Sequence, residues 1–325
     1  MTHLPRRRAE VGFLLALGLL SVALLAMLSL IAHQRALTRG IGPRLPEPLP
    51  NADVSPFCIN TALSRYSDGE LDAALDRIAD GGFFWLRQTF PWALIEPVPG
   101  QYDWQEWDRL VEAATARGLH IIAVLDTAPD WAGHPPPPAD FARFAGAFAA
   151  RYGEHIRYYQ VWNNPNLTDG WGAPPSPQAY AELLRKTNGA IRAADADAQI
   201  IFGSLAPTVE QGPQNLSEMR FLDIFYTTGA ARYFDILAIQ PYGFDMGPEE
   251  RGVDEEQLNF SRAILLRERL IAYGDGQKAI WASHFGWNSL PADWEDVPSI
   301  WGQVDEETQA AYTCLLYTSP SPRDS

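Results

Sequence analysis

The sequence predicts an α/β fold built on a parallel sheet and preceded by one N-terminal transmembrane helix. Three observations carry this expectation. Between residues 54 and 313, seven short apolar runs alternate with segments of helical periodicity. Strands buried on both faces of a parallel sheet read as continuous apolar runs rather than as in–out alternation. Ahead of them, residues 11–32, "VGFLLALGLLSVALLAMLSLIA", carry no charge and are long enough to span a hydrocarbon layer of ~30 Å.

The elements follow in order. Residues 1–10 contain Arg6, Arg7 and Arg8 and form the expected cytoplasmic end of the 11–32 anchor. Leu30-Ile31-Ala32 is a poor cleavage site, so an uncleaved anchor is expected. A cleaved signal would also place the remainder outside the cytoplasm. Residues 33–53, rich in Pro and Arg, read as a semi-extended linker. The first strand is expected at 55–62. Ser67 with Glu70 makes a capping box for a helix carrying Leu71, Ala74, Leu75 and Ile78, stopped by Gly81-Gly82. The next strand is 83–88. Asp103 and Glu106 begin a helix with Trp107, Leu110, Val111 and Ala114 on one face. Strand 119–126 follows, then a helix with Phe141, Phe144, Ala145 and Phe148. After strand 156–162, Ser176-Pro177 opens a helix with Tyr180, Leu183, Leu184 and Ile191. Strand 199–205, a helix over 217–230, strand 234–240, a long helix over 255–273, strand 279–285 and a helix start at 305–313 complete the series.

Two topologies compete for such a series, a doubly wound sheet and a (β/α)₈ barrel. No Gly-x-Gly-x-x-Gly turn follows the first strand, which weakens the dinucleotide-binding form of the first. Residues 54–313 match the size of a TIM barrel, typically about 250 residues, cut after about seven β/α units. Residues 314–325, "CLLYTSPSPRDS", lack periodicity, and Cys314 to Asp324 resembles a translated sequencing adapter of the kind found at the ends of metagenomic contigs. They are read as an artefact tail. Cys58 then stands alone, and no disulfide framework is expected. The net charge of −15 argues against a nucleic-acid partner.

In a barrel the active site lies at the C-terminal ends of the strands. Those ends carry Arg87, Asp126, Trp162-Asn163-Asn164-Pro165-Asn166, Gln240-Pro241-Tyr242 and Ser283-His284-Phe285-Gly286-Trp287. Here the chain resembles the clan A glycoside hydrolases, close to the β-xylosidase and cellulase-like barrels. Residues 85–132 resemble that family's second and third units. "YYQVWNNPN" resembles its Trp-Asn-Glu-Pro strand, "IQPYG" its His-Pro-Tyr strand, and "IWASHFGW" its Thr-Glu-Phe-Gly strand.

The departures fall on the catalytic positions. The resemblance places the acid/base glutamate at Asn164, the nucleophile at His284 and the sixth-strand histidine at Gln240. A retaining glycosidase needs two carboxyls about 5–5.5 Å apart. An amide has no proton to give at a useful pKa, and imidazole supplies no carboxylate to face the anomeric carbon. The binding apparatus implied by the resemblance stays: Asn163 for the sugar 2-hydroxyl, with Arg87, Tyr242 and Trp287 at matching positions. Trp131 and Trp171 are candidate stacking platforms, or loop anchors. Trp162 is expected to pack. Asp126 ends the third strand toward the same mouth and is a candidate substitute carboxylate, with Asp130, Asp169 and Asp245 on neighbouring loops.

No metal or cofactor is expected, because His120, His134, His155 and His284 show no ligand spacing. A Ser283–His284 nucleophile pair is not expected either, since adjacent strand residues point to opposite faces. The expectation is a membrane-anchored, extracytoplasmic barrel that binds poly- or oligosaccharide without retaining-type hydrolysis. The alternatives are an O-glycosyl hydrolase using Asp126 and an envelope scaffold that binds no sugar.

Overall fold

A computed structural model describes residues 4–40, 49–50, 56–250, 252–291, 294 and 299–318. Most of the expected 33–53 linker and residues 319–325 of the expected tail lie outside these. The chain divides into two units, 1–41 and 42–325, considered separately.

The first unit is one helix, α1 (Leu4–Leu37). Its stretch Val11–Ala36 is long and apolar enough to cross a membrane, and a signal sequence meets the same description. The apolar side chains from Val11 to Ile31 are exposed within the unit.

Among the described residues, the second unit is a seven-stranded sheet in sequential order. The strands are β1 (Cys58–Thr61), β2 (Trp85–Pro91), β3 (His120–Asp126), β4 (Tyr158–Val161), β5 (Gln199–Leu205), β6 (Ile236–Ile239) and β7 (Ala279–Ala282). Every pairing is parallel. Helices α2 (Asp68–Asp80), α4 (Gln105–Thr115), α5 (Pro138–Tyr152), α7 (Pro177–Ala194), α8 (Glu218–Thr227) and α9 (Ala263–Ala272) connect the strands. Short α3 (Trp92–Ile95) follows β2, short α6 (Thr168–Trp171) follows β4, and α10 (Glu306–Thr318) ends the described chain.

Local chemistry explains the helix starts. Ser67 N and Oγ both donate to Glu70 Oε2, a closed capping box on α2. Ser176 Oγ accepts from Ala179 N at the start of α7, where Pro177 fits the first turn. Asp103 serves its helix from two residues ahead: its carboxylate accepts from Gln105 N, while Trp104 holds the cap position.

The sheet is curled. One large apolar cluster lies between sheet and helices, including Phe90, Phe144, Phe148, Phe202 and Phe225. A second fills the concave side with Trp85, Ile122, Tyr158, Ile201, Ile236 and Ala238. The curl brings the outer strands together. Trp85 of β2 and Trp281 of β7 stand 5.6 Å apart edge to face, and Asn60 of β1 donates to Ser283 O after β7 at 2.8 Å. Seven parallel strands wound this way give a partial barrel of the TIM type, as the sequence predicts.

Two expectations are corrected. The helix over 255–273 is only α9, preceded by a short turn at Phe260–Arg262. The carbonyls of Asp254, Glu255 and Gln257 accept from Arg262 Nη1 and so are withdrawn from helical bonding. The helical pattern also does not break at Cys314, since α10 runs on to Thr318.

Candidate active site

The site is organised around Arg87. Its position on β2 pairs with Asn60 on β1, so the two side chains share the concave face at one level. Arg87 is 7% exposed and almost all of its donor capacity is used. Nε donates to Gln160 Oε1 at 3.0 Å, Nη1 to Asn60 Oδ1 at 2.9 Å, and Nη2 to Asn163 Oδ1 at 2.9 Å. Nη1 also lies 3.4 Å from His284 Nε2. All four partners are neutral groups. Burial lowers Arg87 to about 10, partly offset by the charge of Asp126.

The strand-end loop after β4 is strained. Trp162 has φ of 72° and Asn164 has φ of 49°, and a positive φ is unusual for so bulky a residue as Trp. The loop holds this shape because α6 closes on it. A Cβ at Gly170 would lie 2.3 Å from Asn164 O, so only glycine permits the approach. Trp162 Nε1 donates to Gly170 O at 2.8 Å, and the indole is buried. The loop therefore aims the two asparagines. Asn163 Oδ1 accepts from Arg87 and from Gln160 Nε2. Asn164 Oδ1 accepts from Gln240 Nε2 at 2.5 Å. With both carbonyl ends tied down, the two NH₂ ends remain as donors on the mouth side.

Gln240 also donates to Ser204 Oγ at 3.0 Å, and Ser204 Oγ lies 2.5 Å from Ser283 Oγ. Ser283 donates to Ile239 O at 3.0 Å, and His284 Nδ1 sits 3.2 Å from Ser283 Oγ. The consistent assignment is a neutral His284 with its proton on Nδ1, donated to Ser283, and its Nε2 lone pair facing Arg87. Burial, and then the nearby Arg87 charge, lower His284 to about 4. Ser283 and His284 thus touch, correcting the expectation that they face apart. β7 ends at Ala282, so the alternation of strand side chains no longer governs them. They do not form a nucleophile pair, because the ring nitrogen facing Ser283 carries the proton and the other is engaged by Arg87.

Asp126 ends β3 and lines a cavity of about 320 Å³ with Asn163, Asn164, His134 and Asp169. Burial pushes its carboxyl up to about 6, with hydrogen bonding from Thr127 and the Arg87 charge acting the other way. Asp130 lies outside, beside Trp131 in a neighbouring cleft. Asp245 is turned to the 302–303 backbone, accepting from Gln303 N at 2.9 Å. Among the described residues, no group of three or more His, Cys, Asp or Glu is placed to hold a metal ion.

The aromatic residues divide. Tyr242 faces the His284 ring at 6.3 Å and Trp301 at 4.7 Å. Trp131 is half-buried, edge-on to Trp92, with Nε1 donating to Glu96 O. Trp171 is corrected as a stacking platform: it is 2% exposed, its ring packed edge-on against Trp162 and Tyr180. Trp287 is corrected as a binding residue. It is 6% exposed between Phe260 and Tyr312, and a Cβ at Gly243 would lie 1.9 Å from its Nε1. Its ring is packed within the protein, with Nε1 donating to Met246 O at 2.6 Å, rather than offered to a ligand.

Four residues of this arrangement escape the sequence reading: Asn60, Gln160, Ser204 and Trp301. Gln160 carries a readable signal, a lone amide inside the buried strand "YYQV". Asn60 could be found only by pairing β1 with β2 in register.

Residues 66–146 match the glycoside hydrolase family 42 model, described as beta-galactosidase. No curated protein matches the chain. Among solved structures, the fold is similar to a family 39 glycoside hydrolase from Bacteroides cellulosilyticus WH2, with a TM-score of 0.58 and 20% identity. That likeness covers 84% of this chain and 55% of the other. The GH39 enzyme from Xanthomonas axonopodis pv. citri gives 0.54 and 20% over 77% and 56% of the two chains. A beta-glucosidase from Thermotoga maritima gives 0.50 and 15% over 76% and 71%. The chain therefore spans little more than half the length of the two family 39 structures. The second unit has a glycoside-hydrolase-like fold of the TIM-barrel type.

Proposed function

We propose that this protein binds carbohydrate at the barrel mouth without retaining-type hydrolysis, and that α1 holds the barrel at a membrane on its extracytoplasmic side. The observation that carries this reading is the pair Asn164 and His284. Each stands at a position where the family resemblance implies a catalytic glutamate. Asn164 is fixed by Gln240 and has no acidic proton. His284 is neutral and bound to Arg87 and Ser283. Neither supplies the acid or the carboxylate nucleophile that retention requires. The binding groups remain, with amide donors at Asn163 and Asn164, the Arg87 cage and the aromatic faces of Tyr242 and Trp301.

A glycan array with the full chain in detergent micelles tests this. Binding without release of reducing sugar is the expected result. Absence of binding to every glycan would favour a scaffold role instead. The double substitution Asn164→Glu with His284→Glu is expected to introduce measurable glycosidase activity.

One observation favours a second reading, an O-glycosyl hydrolase using Asp126. A carboxyl near 6 is suited to act as a general acid close to neutral pH. Asp169 lines the same cavity and is the available second carboxylate. Sugar release by the parent protein, abolished in Asp126→Asn, would establish this reading over the first.

A further inference from the structure

Arg87 is a buried cation with no anion in direct contact, the charge of Asp126 acting on it only from a distance. Among the described residues no carboxylate forms an ion pair with it, whereas the other deeply buried arginine, Arg262, pairs with Glu218. Its four partners, Asn60, Gln160, Asn163 and His284, contribute lone pairs but no charge. Three of them are not fully buried: Asn60 is exposed, and Asn163 and His284 are partly so. A guanidinium held at this depth with neutral partners has an unspent attraction for negative charge, stronger than it would be in water.

We propose that the mouth selects a sugar bearing an anionic substituent, a carboxylate or a sulfate ester, placed against Arg87 beside Asn163 and His284. This rests on the carbohydrate-binding reading and adds to it the class of ligand. The sugar ring would occupy the cavity lined by Asn163, Asn164 and Asp126. Its anionic group would turn past Asn163 toward Arg87, which lines an adjoining cavity with Gln160 and Ser283 and reaches Asn163 Oδ1 at 2.9 Å.

The charged and titratable groups around Arg87 set the pH response. They are Asp126 at the end of β3, Cys58 on β1, Tyr242 after β6 and His284 after β7. Burial pushes Cys58 up to about 12 and raises Tyr242, so both are neutral at pH 7. His284 stays neutral down to about pH 4. Among the buried groups beside Arg87, Asp126 changes charge between pH 7 and 5, and His134 and Asp169 line the same cavity. The negative charge of Asp126 repels an anionic ligand at pH 7 and is lost by pH 5, so acidic-sugar binding tightens as pH falls.

The experiment is calorimetric titration of the full chain in detergent micelles. The ligands are a hexuronate trisaccharide, a sulfated trisaccharide and a neutral xylo- or cello-trisaccharide, at pH 7 and pH 5. An acidic trisaccharide is expected to bind at least about tenfold tighter than the neutral one. The gap should widen at pH 5. Hexuronate and sulfated sugars binding alike identifies a shared anion site, and hexuronate alone identifies a carboxylate site. Equal affinity for neutral and acidic sugars overturns this inference and leaves carbohydrate binding intact. No binding by any of the three overturns both. Because Arg87→Met could unfold the mouth, the decisive variant is His284→Glu, which puts an anion beside Arg87. It should abolish the acidic preference, and a preference that survives it would overturn the inference.

Discussion

Arg262 and Arg87 are buried to 2% and 7% exposure, yet their surroundings differ in kind. Arg262 lies behind β5 and β6. Its Nε donates to Glu218 Oε1 at 2.8 Å, and its Nη1 to the carbonyls of Asp254, Glu255 and Gln257. The side chains of both members of the ion pair are 3% exposed, so the charge is cancelled on the spot. Arg87, at the mouth, is held by three amides and an imidazole. A buried ion costs several kcal/mol to desolvate, and a partner of opposite sign offsets most of that cost. The first arginine ties a loop to the barrel wall. The second keeps its charge available, which is what a ligand site requires and a structural site does not.

Breaking the Arg262 pair should give the largest effect. Glu218→Ala leaves a buried guanidinium without its anion and is expected to lower unfolding stability by about 3–5 kcal/mol. Urea unfolding in detergent micelles measures this. A loss under about 1 kcal/mol would show that the carbonyl cage alone holds Arg262.

The next effect concerns pH. Asp126 keeps its proton in the fold up to about pH 6 and loses it near 3.9 when unfolded, so its contribution falls as pH rises from about 4 to 6. His284 is neutral in the fold down to about 4 but protonates near 6.5 when unfolded, so its contribution falls as pH drops through the same range. The two slopes oppose each other, and the parent protein should show little change in melting temperature between pH 4 and 6. Asp126→Asn should lose about 1–3 kcal/mol on acidification from pH 6.5 to 4. His284→Gln should show the reverse slope. Identical profiles for both variants would remove either group from the account.

Giving Arg87 an anion should make it resemble Arg262. His284→Glu is expected to raise stability at pH 7 by about 1 kcal/mol, read from the same urea curves. An unchanged or lowered midpoint would mean that the neutral cage already suffices. The smallest stability effect belongs to Trp301, 36% exposed beside Tyr242. Trp301→Ala should change stability by less than about 0.5 kcal/mol while weakening sugar binding about tenfold. Undiminished binding would take Trp301 out of the platform.

The sequence is most informative where a side chain's role is set by its immediate neighbours. The Ser67–Glu70 box, the Ser176-Pro177 start and the buried runs of β3 and β5 can all be read directly, because capping and apolar burial act over a few residues. The strand ends are legible as well, so Arg87, Asn163, Asn164, Asp126, Gln240 and His284 stand out from residue order alone. Their partners do not. Asn60 meets Arg87 through the β1–β2 register, and His284 meets it only because the sheet curls. Trp171 reads as either a platform or a loop anchor in the sequence, because periodicity does not report which loop folds over a ring.

What the sequence determined by itself is the alternation of strand and helix, the apolar N-terminal helix and the presence of Asn164 and His284 at two strand ends. These follow from residue identity and spacing along the chain. What only the tertiary structure decided is the charge state of the mouth. Whether Arg87 finds an anion, whether His284 stays neutral and how far Asp126 is raised depend on burial and on groups brought within a few ångströms from β1, β2, β3, β4, β6 and β7. Electrostatic energy depends on distance and on exclusion of water, and neither is written in the order of residues.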